Sequence, residues 1–315
     1  MIGPMVTGPM VTGPMADPAQ VALSEPRHTR FNYTPYLLLL PGMAWLVVFF
    51  VVPTLSLASQ SLQTGNVETG YSLTWHFQTY GDALSHFWPH FVRSIGFAGS
   101  ATVLTLIFAY PLAYFIAQKV GRWKNFLLVL VIAPFFTSFL IRTLAWQTIL
   151  TDNGPVAALA RSTHATDLLQ WVHLTSNDSL MNSRFAVIAG LTYNFLPFMI
   201  LPLYANLERL DHGLIEAAGD LYATPIQTFW KVTWPLSLPG VVGGTLLTFI
   251  PAAGDFINSR LLGNTQTVMI GQVIDSQFLQ VQDYAVAAAL SFVLMAVIVV
   301  MVAVYVRRAG TEELV

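Results

Sequence analysis

The sequence contains no cysteine, which excludes disulfide bridges, thiolate nucleophiles and cysteine-ligated metal sites. Charged residues are also scarce, at 10% of the 315 residues against 55% for hydrophobic ones. A soluble domain carries roughly 25% charged residues, so we expect lipid rather than water around most of this chain. The net charge of −2 gives no electrostatic basis for binding nucleic acid, and we expect no nucleic-acid partner.

Six long apolar segments make up most of the chain. A helix needs about 20 apolar residues to cross the hydrocarbon core of a bilayer, and it satisfies its own backbone polar groups there. The sequence therefore predicts an all-α, polytopic membrane protein with six transmembrane helices. The predicted spans are 36–57, 91–118, 125–150, 185–206, 237–257 and 284–306.

The segments outside the spans predict two tails. Residues 1–35 are polar and repetitive, with Gly-Pro-Met-Val-Thr at Gly3 and again at Gly8. We expect a disordered N-terminal tail, and the sequence assigns no role to its repeat. The predicted transmembrane domain is 36–306, followed by a short C-terminal tail at 307–315.

Lys and Arg are distributed unevenly between the connections. Nine of them lie in the two tails, in the second connection between spans 91–118 and 125–150, and in the fourth connection between spans 185–206 and 237–257. Four lie in or beside the other loops. Cytoplasmic loops are enriched in Lys and Arg. We therefore expect both termini and the fourth connection in the cytoplasm.

The fourth connection, residues 208–240, has the sequence pattern of two short helices. Asp211 can cap the first helix. Thr224, Pro225 and Gln227 have the spacing of a capping box with proline at the first helical position. Both helices carry an apolar stripe, which must be covered if the loop lies outside the membrane. The stripe can pack on the lipid surface or on the protein's own spans. Alternatively, it can form a docking surface for a soluble partner.

This loop resembles the EAA motif of binding-protein-dependent ABC importer permeases. Its residues 216–218 are Glu-Ala-Ala, and Val-Thr-Trp-Pro at 232–235 is similar to the Ile-x-Leu-Pro end of the motif. We expect the second short helix to end at 234–235. Tyr222 departs from the pattern, because the family usually has glycine there. We therefore expect Thr224-Pro225 to supply the bend between the helices instead.

Further segments are similar to the polyamine (spermidine/putrescine) permease subgroup of this family. They are 134–154, beginning Pro-Phe-Phe-Thr-Ser; 193–204, Tyr-Asn-Phe-Leu-Pro-Phe-Met-Ile-Leu-Pro-Leu-Tyr; 249–256, Phe-Ile-Pro-Ala-Ala-Gly-Asp-Phe; and the Leu-Gly and Met-Ile-Gly runs within 262–271. The resemblance covers about residues 36–306. Related permeases carry opines, other amines or iron, so these substrates remain alternatives.

The resemblance implies a fold like that of type I ABC importer permeases and a non-catalytic, multi-pass transport subunit in a bacterial plasma (inner) membrane. The implied partners are cytoplasmic ATPase subunits, a second similar permease, an extracytoplasmic solute-binding protein and membrane lipid. The sequence has no G-x-x-x-x-G-K-[ST] phosphate loop, so the partner ATPase must bind ATP, and we expect no cofactor here. The resemblance assigns coupling to the ATPase to Glu216, Ala217, Ala218, Asp220, Leu221, Tyr222, Pro225 and Pro235.

Four residues are candidates for the path of a cationic substrate. Asp255 lies near the outer end of the fifth span, where an acid usually faces a cavity or a partner. The alternative is a helix-end acid that lies in water or pairs with Arg260. Trp146 and Tyr193 offer aromatic faces to a cation and Asn194 a polar contact, although such residues are more often anchors or packing.

Two other patterns are expected to carry no transport role. Arg142 lies about 25 Å along a straight third span, at about 1.5 Å per residue, so we expect its side chain to reach the outer interface. His86 and His90 have the spacing of a metal pair on a helix. Pro89 lies between them and no third ligand is evident, so the sequence predicts no metal site.

Two other classes of membrane protein fit the sequence less well. An ion-coupled secondary transporter typically has internal repeats and midplane segments with coupling-ion ligands. An intramembrane enzyme needs a nucleophile–base pair or a cluster of His and acid within its spans. Neither pattern is visible in the six spans.

Overall fold

The computed structural model describes residues 34–66, 68–163, 165–171, 173–175 and 179–309. The predicted N-terminal tail up to residue 33 and the C-terminal residues 310–315 lie outside the described residues. The chain divides into two compact units, 1–54 and 55–315. From residue 34 the first unit is helical: α1 (Thr34–Leu46) continues through a π-helical turn (Val47–Val51) into α2 (Val52–Ser61), which ends in the second unit.

The second unit contains a small antiparallel hairpin and the remaining helices. Strands β1 (Gln63–Asn66) and β2 (Gly70–Leu73) pair with Gln63 opposite Leu73. The helices are α3 (Gln78–Gln118), α4 (Lys124–Ile132), α5 (Phe139–Leu150), α6 (Pro155–Ser162), α7 (Ala165–Trp171), α8 (Arg184–Glu208), α9 (His212–Asp220), α10 (Pro225–Thr228), α11 (Trp234–Ala253), α12 (Ile257–Leu262), α13 (Ile270–Ser276) and α14 (Tyr284–Ala309).

Five helical segments among the described residues are long and apolar enough to cross a membrane, or six when two helices joined at a sharp bend count as one span. The predicted fold class is confirmed. The boundaries differ, because α3 begins at Gln78 and not at residue 91. Its 41 residues correspond to about 60 Å at about 1.5 Å per residue, so α3 extends well beyond the roughly 30 Å of hydrocarbon.

The third predicted span, 125–150, is broken. α4 runs into a 3-10 turn (Ala133–Phe136), and α5 continues at 93° to it. Thr137 and Ser138 are extended between the two helices. The Thr137 N–H and hydroxyl both donate to the Pro134 carbonyl, at 3.1 and 2.7 Å, which closes the turn. The third predicted span therefore consists of two helices joined at a bend and not of one continuous helix.

The bend also changes the environment of Arg142. Its guanidinium carbon lies 5.6 Å from the ring centroids of both Phe135 and Phe139. Its Nε and Nη1 atoms are buried and have no hydrogen-bond partner in the described part of the chain. Because α5 turns away from α4, the distance of about 25 Å along one helix does not apply to Arg142. The cation packs instead against two aromatic rings at the bend.

α3, α8 and α11 form the centre of the second unit. Small side chains at their contacts are fully buried, with Ala98 and Ala101 on α3, Ala186 on α8, and Ala252 and Ala253 on α11. Small residues allow close approach of helix backbones, as is usual where helices pack in a membrane. This tightly packed centre supports the loop between α8 and α11 at one end.

Candidate coupling loop and substrate path

The loop between α8 and α11 contains the two predicted short helices. Asp211 caps α9 by accepting a hydrogen bond from the Gly213 N–H at 2.8 Å. Thr224 and Gln227 form a complete capping box, in which each backbone N–H donates to the side chain of the other residue, at 3.0 and 3.4 Å. Pro225 occupies the first helical position of α10. Both predicted caps are therefore confirmed.

α9 ends in a Schellman motif. The Ala223 N–H donates to the Ala218 carbonyl at 3.0 Å, and the Tyr222 N–H donates to the Gly219 carbonyl at 2.9 Å. Tyr222 adopts a left-handed conformation with φ of 58°, which glycine adopts without steric cost. Tyr222 itself therefore makes the bend where the family usually has glycine. The expectation that Thr224-Pro225 supplies the bend is wrong, because Thr224 caps the next helix and Pro225 begins it.

The residues of the coupling motif lie mainly on the outside of this loop. Glu216 and Asp220 form no ion pair or hydrogen bond with the described part of the chain. Leu221 and Tyr222 are 82% and 95% exposed. The exposed set is Glu216, Ala217, Asp220, Leu221, Tyr222 and Pro225, whereas Ala218 and Pro235 are half-buried.

Four aromatic side chains, which we call the aromatic root, fix the base of the loop to the helical centre. They are Tyr110 of α3, Phe229, Trp230 and Trp234. The Tyr110 ring lies edge-on to Phe229 with centroids 5.6 Å apart, and 5.2 Å from Trp234. The buried Tyr110 hydroxyl is hydrogen bonded to the Ser237 hydroxyl at 2.8 Å. The sequence did not predict a role for Tyr110, because the residues that it contacts lie more than 100 positions away along the chain.

A continuous helix joins the loop to the fifth span. It runs over Pro225–Ala253, 29 residues, and comprises α10, a π-helical turn (Phe229–Thr233) and α11. The prediction that the second short helix ends at Trp234-Pro235 is wrong. Pro235 lies inside this continuous helix, just after the π-helical turn, and membrane helices tolerate an interior proline where local π adjustments and neighbouring groups satisfy the freed backbone groups.

Two contacts hold the second connection against the base of this loop. Lys124 Nζ lies 2.5 Å from Glu208 Oε1, and the Gln118 side chain donates to the Leu207 carbonyl at 2.7 Å. The ion pair is partly exposed, so it contributes at most about 1 kcal/mol to stability. The ion pair shows that the second and fourth connections lie at the same end of the second unit.

Trp146 and Tyr193 lie together beside a large cavity. Their rings meet edge to face with centroids 5.4 Å apart. Both line a cavity of about 860 Å³ bordered by α3, α5, α7 and α8. The other described lining residues are aliphatic, aromatic or small, with hydroxyls from Ser100 and Thr192 and no charged side chain. This cavity presents aromatic faces without competing charge.

Asp255 is buried away from this cavity. It is 8% exposed, and its carboxylate accepts a hydrogen bond from the Asn258 N–H at 2.8 Å. Arg260 pairs with Asp275 instead, at 2.9 Å. Asp255 is therefore neither in water nor paired with Arg260, and its local partner is the start of α12.

Asn194 belongs to a buried polar contact between three helices. It is 1% exposed, and its amide donates to the Thr143 hydroxyl at 3.2 Å and to the Asn258 side-chain oxygen at 3.1 Å. Asn194 thus connects α5, α8 and α12. It faces away from the cavity that its neighbour Tyr193 lines.

Replacing Asn194 by alanine is expected to lower the free energy of unfolding by about 1–3 kcal/mol, since it leaves buried partners without their donor. Thermal unfolding of the detergent-solubilised protein measures this loss. Tyr193→Phe is the control, because it changes the adjacent residue without touching the buried contact. Unchanged stability together with altered substrate preference would instead place Asn194 in the path.

Comparison with known proteins identifies the family. The family described as binding-protein-dependent transport system inner membrane component matches residues 109–309. The spermidine/putrescine transport system permease protein PotB of Escherichia coli K12 is 34% identical over 269 residues, covering 85% of this chain and 94% of that protein. The inner membrane ABC transporter permease protein YdcU of the same organism is 31% identical over 226 residues, or 70% of this chain and 72% of YdcU.

Solved structures match in fold. A bacterial ABC transporter involved in the import of the acidic polysaccharide alginate has a chain that superposes with a TM-score of 0.62, at 19% identity, over 89% of this chain and 96% of that one. The same kind of transporter in complex with an alginate-bound periplasmic protein gives a TM-score of 0.57 at 21% identity. The secondary transporter and the intramembrane enzyme are therefore set aside. The chain belongs to the family of binding-protein-dependent transport system inner membrane components, as the multi-pass, non-catalytic permease of an ABC importer that works with an ATPase and a binding protein.

Proposed function

We propose that this permease carries a small cationic solute of the polyamine class, such as spermidine or putrescine, across the inner membrane. The observation that carries the proposal is the edge-to-face pair of Trp146 and Tyr193 on the wall of an uncharged cavity. Aromatic faces attract cations, most strongly where water is excluded. The 34% identity to PotB over most of both chains supports the same substrate class.

The coupling loop is proposed to receive the work of the ATPase. Glu216 and Asp220 face outward without partners, and the helix that carries them is capped at both ends. The aromatic root then connects the loop to α3 and α11. A second, similar permease is proposed to complete the translocation path, and membrane lipid to cover the outward apolar faces of the spans.

The end that carries the coupling loop is proposed to be cytoplasmic, together with both termini. Lys119, Arg122 and Lys124 of the second connection lie beside the loop through the Lys124–Glu208 contact. The loop adds Arg209 and Lys231. This concentration of basic residues at one end supports the orientation, because positive residues favour the cytoplasmic side.

Reconstitution in liposomes tests the proposed function. The chain is combined with candidate ATPase, second permease and solute-binding protein, and entry of labelled spermidine or putrescine is measured. We expect uptake that requires ATP on the side of the liposome membrane where the ATPase is bound. This uptake should continue without an ion gradient. Uptake driven by an ion gradient in the absence of ATP contradicts the importer, and ATP-driven uptake of iron or an opine in place of polyamine contradicts only the substrate.

Substitution of Trp146 by leucine tests the path. Loss of the aromatic face is expected to raise the KM for a polyamine about 5- to 30-fold, corresponding to about 1–2 kcal/mol of cation–π interaction. Transport kinetics at constant ATP measure it. Leu104→Ala, which alters another lining residue without removing a ring, is the control and should change KM much less. Equal changes of KM in the two variants would contradict a cation–π interaction of the substrate with Trp146.

A further inference from the structure

A long apolar groove lies between α11, α13 and α14 on the surface of the second unit. Its volume is about 700 Å³, and Ser291 is the one polar side chain among its described lining residues. Met295 and Val299 of α14 lie in the groove and are exposed. From Ser291 to Val306 the groove follows α14 for about 22 Å at about 1.5 Å per residue. One leaflet provides about 15 Å of hydrocarbon, half of the bilayer core, so an extended acyl chain can lie along this groove.

The walls of the groove differ from the surfaces where helices of this protein pack together. Membrane helices approach one another through small residues, as the alanines of α3, α8 and α11 do at the centre of the unit. The groove has Ile250 on one wall and Ile298 and Val302 on the other, and Ser291 and Ala303 are the small residues among those that line it. A thin, flexible hydrocarbon chain therefore fits the groove better than another helix does.

Two arginines stand at the end of this groove. Val299 and Ala303 line the groove, and Arg307 is the next residue in the same row of α14 because residues four apart share a helix face. Tyr305 lines a second, smaller cavity between α11 and α14, of about 140 Å³. Arg308 follows Tyr305 by three residues and continues that row. Each apolar cavity thus leads to a guanidinium group.

Neither arginine is neutralised within the described part of the chain. Both are exposed, and they form no ion pair or hydrogen bond with the described residues. The Tyr305 hydroxyl also has no hydrogen-bond partner there. The span that ends at Arg308 has 25 residues, or about 37 Å at about 1.5 Å per residue. Because the hydrocarbon core is roughly 30 Å thick, these three side chains lie at the level of the lipid headgroups.

We propose that the groove is a binding site for an anionic glycerophospholipid, with one acyl chain along α14 and the phosphate group held by Arg307, Arg308 and the Tyr305 hydroxyl. Guanidinium groups bind phosphate oxygens in a bidentate manner, and basic pockets between transmembrane helices bind anionic headgroups. The bound lipid would contact α11, which belongs to the continuous helix that begins in the coupling loop. The site does not depend on which solute is transported.

Native mass spectrometry of the full-length, detergent-solubilised chain tests the headgroup contacts. The probes are dioleoyl phosphatidylglycerol and dioleoyl phosphatidylcholine, which have the same acyl chains and differ in net charge. We expect the anionic lipid to bind about tenfold more tightly or better, since two arginines face its phosphate. Arg307→Gln combined with Arg308→Gln should abolish this preference. Lys119→Gln combined with Arg122→Gln removes the same charge from exposed residues of the second connection and should preserve it. Equal binding of both lipids by the wild type would overturn the proposal.

Filling the groove tests the acyl-chain contacts. Ala303→Trp is expected to weaken binding of both lipids by about fivefold or more, because the indole occupies the volume of the chain. Val304→Trp is the matched control, since Val304 is 46% exposed on the same helix and lines neither cavity. Glycerol 3-phosphate carries the anionic group without chains, and at equal concentration it should not displace the lipid. Displacement by it, or full lipid binding by Ala303→Trp, would show that the groove holds no acyl chain.

Cross-linking in the assembled, reconstituted transporter distinguishes a lipid from the second permease. Phosphatidylglycerol with a photoreactive acyl chain is expected to label α14 near Ala303. The chain has no native cysteine, so Ala303→Cys introduces the sole thiol of this subunit, and a short bifunctional reagent on that thiol should not reach the second permease. Efficient cross-linking to the second permease without labelling by the lipid would assign the groove to that subunit and refute the lipid site.

Discussion

Replacing Glu216 by lysine is expected to abolish ATP-driven uptake, to below about a tenth of the wild-type rate, while the permease stays folded. Glu216 is exposed near the middle of α9 and has no partner in the described part of the chain. Lysine is a good helix former, so α9 should persist. Under the proposed coupling role the carboxylate faces basic groups of the ATPase, so lysine would place like charges across that interface, which costs several kcal/mol in binding.

The measurement is uptake by the reconstituted transporter together with co-purification of the ATPase. Glu68→Lys is the matched control, because it makes the same change of charge on an exposed residue of the hairpin segment. Loss of uptake in both variants would point to a general effect of charge. Normal uptake and assembly with Glu216→Lys would show that coupling does not depend on this residue.

Replacing Gly271 by alanine is expected to destabilise the protein by about 3 kcal/mol or more, at the upper end of overpacking effects. A Cβ atom at this position would lie 2.3 Å from the Gly254 carbonyl oxygen and 3.1 Å from that of Asp255. Both contacts are backbone atoms, so no side chain can rotate away to relieve them. The start of α13 and the end of α11 would have to separate.

Thermal unfolding in detergent and the yield of monodisperse protein measure this effect. Gly254→Ala is a matched control in the same contact, because its nearest neighbour would be the Leu294 Cδ2 atom at 4.0 Å. We expect a cost below about 1 kcal/mol there, since that distance is ordinary van der Waals contact. Equal melting temperatures for the two variants would show that α13 can move away from α11 at little cost.

The coupling loop was predictable from the sequence because its signals are local. Asp211 and the Thr224–Gln227 capping box act over two or three residues, and their residue types fit few other roles. The conformation of Tyr222 was not predictable by the same rules, because tyrosine has no preference for the left-handed region. The contact of Tyr110 with Ser237 joins residues 127 positions apart, and no periodicity in one chain reports it.

The break in the third span was missed for a different reason. Pro41, Pro111, Pro197 and Pro251 all lie inside helices, so a proline in an apolar run does not by itself predict a break. The extended Thr137 and Ser138 produce the break after Pro134. The sequence could not tell which candidate path residues line the cavity. Adjacent residues of α8 point in different directions, so that Tyr193 lines the cavity whereas Asn194 is buried.

The continuous helix from Pro225 to Ala253 has its near end in the coupling loop. Its 29 residues give a length of about 43 Å at about 1.5 Å per residue. The aromatic root packs this helix against α3 near one end and can act as a pivot point for the helix. A tilt of about 10° about that point would displace the far end by roughly 5–6 Å. Under the proposed coupling role, we therefore expect a small displacement of the loop to become a larger one at the other end of this helix, which α12 follows after three residues.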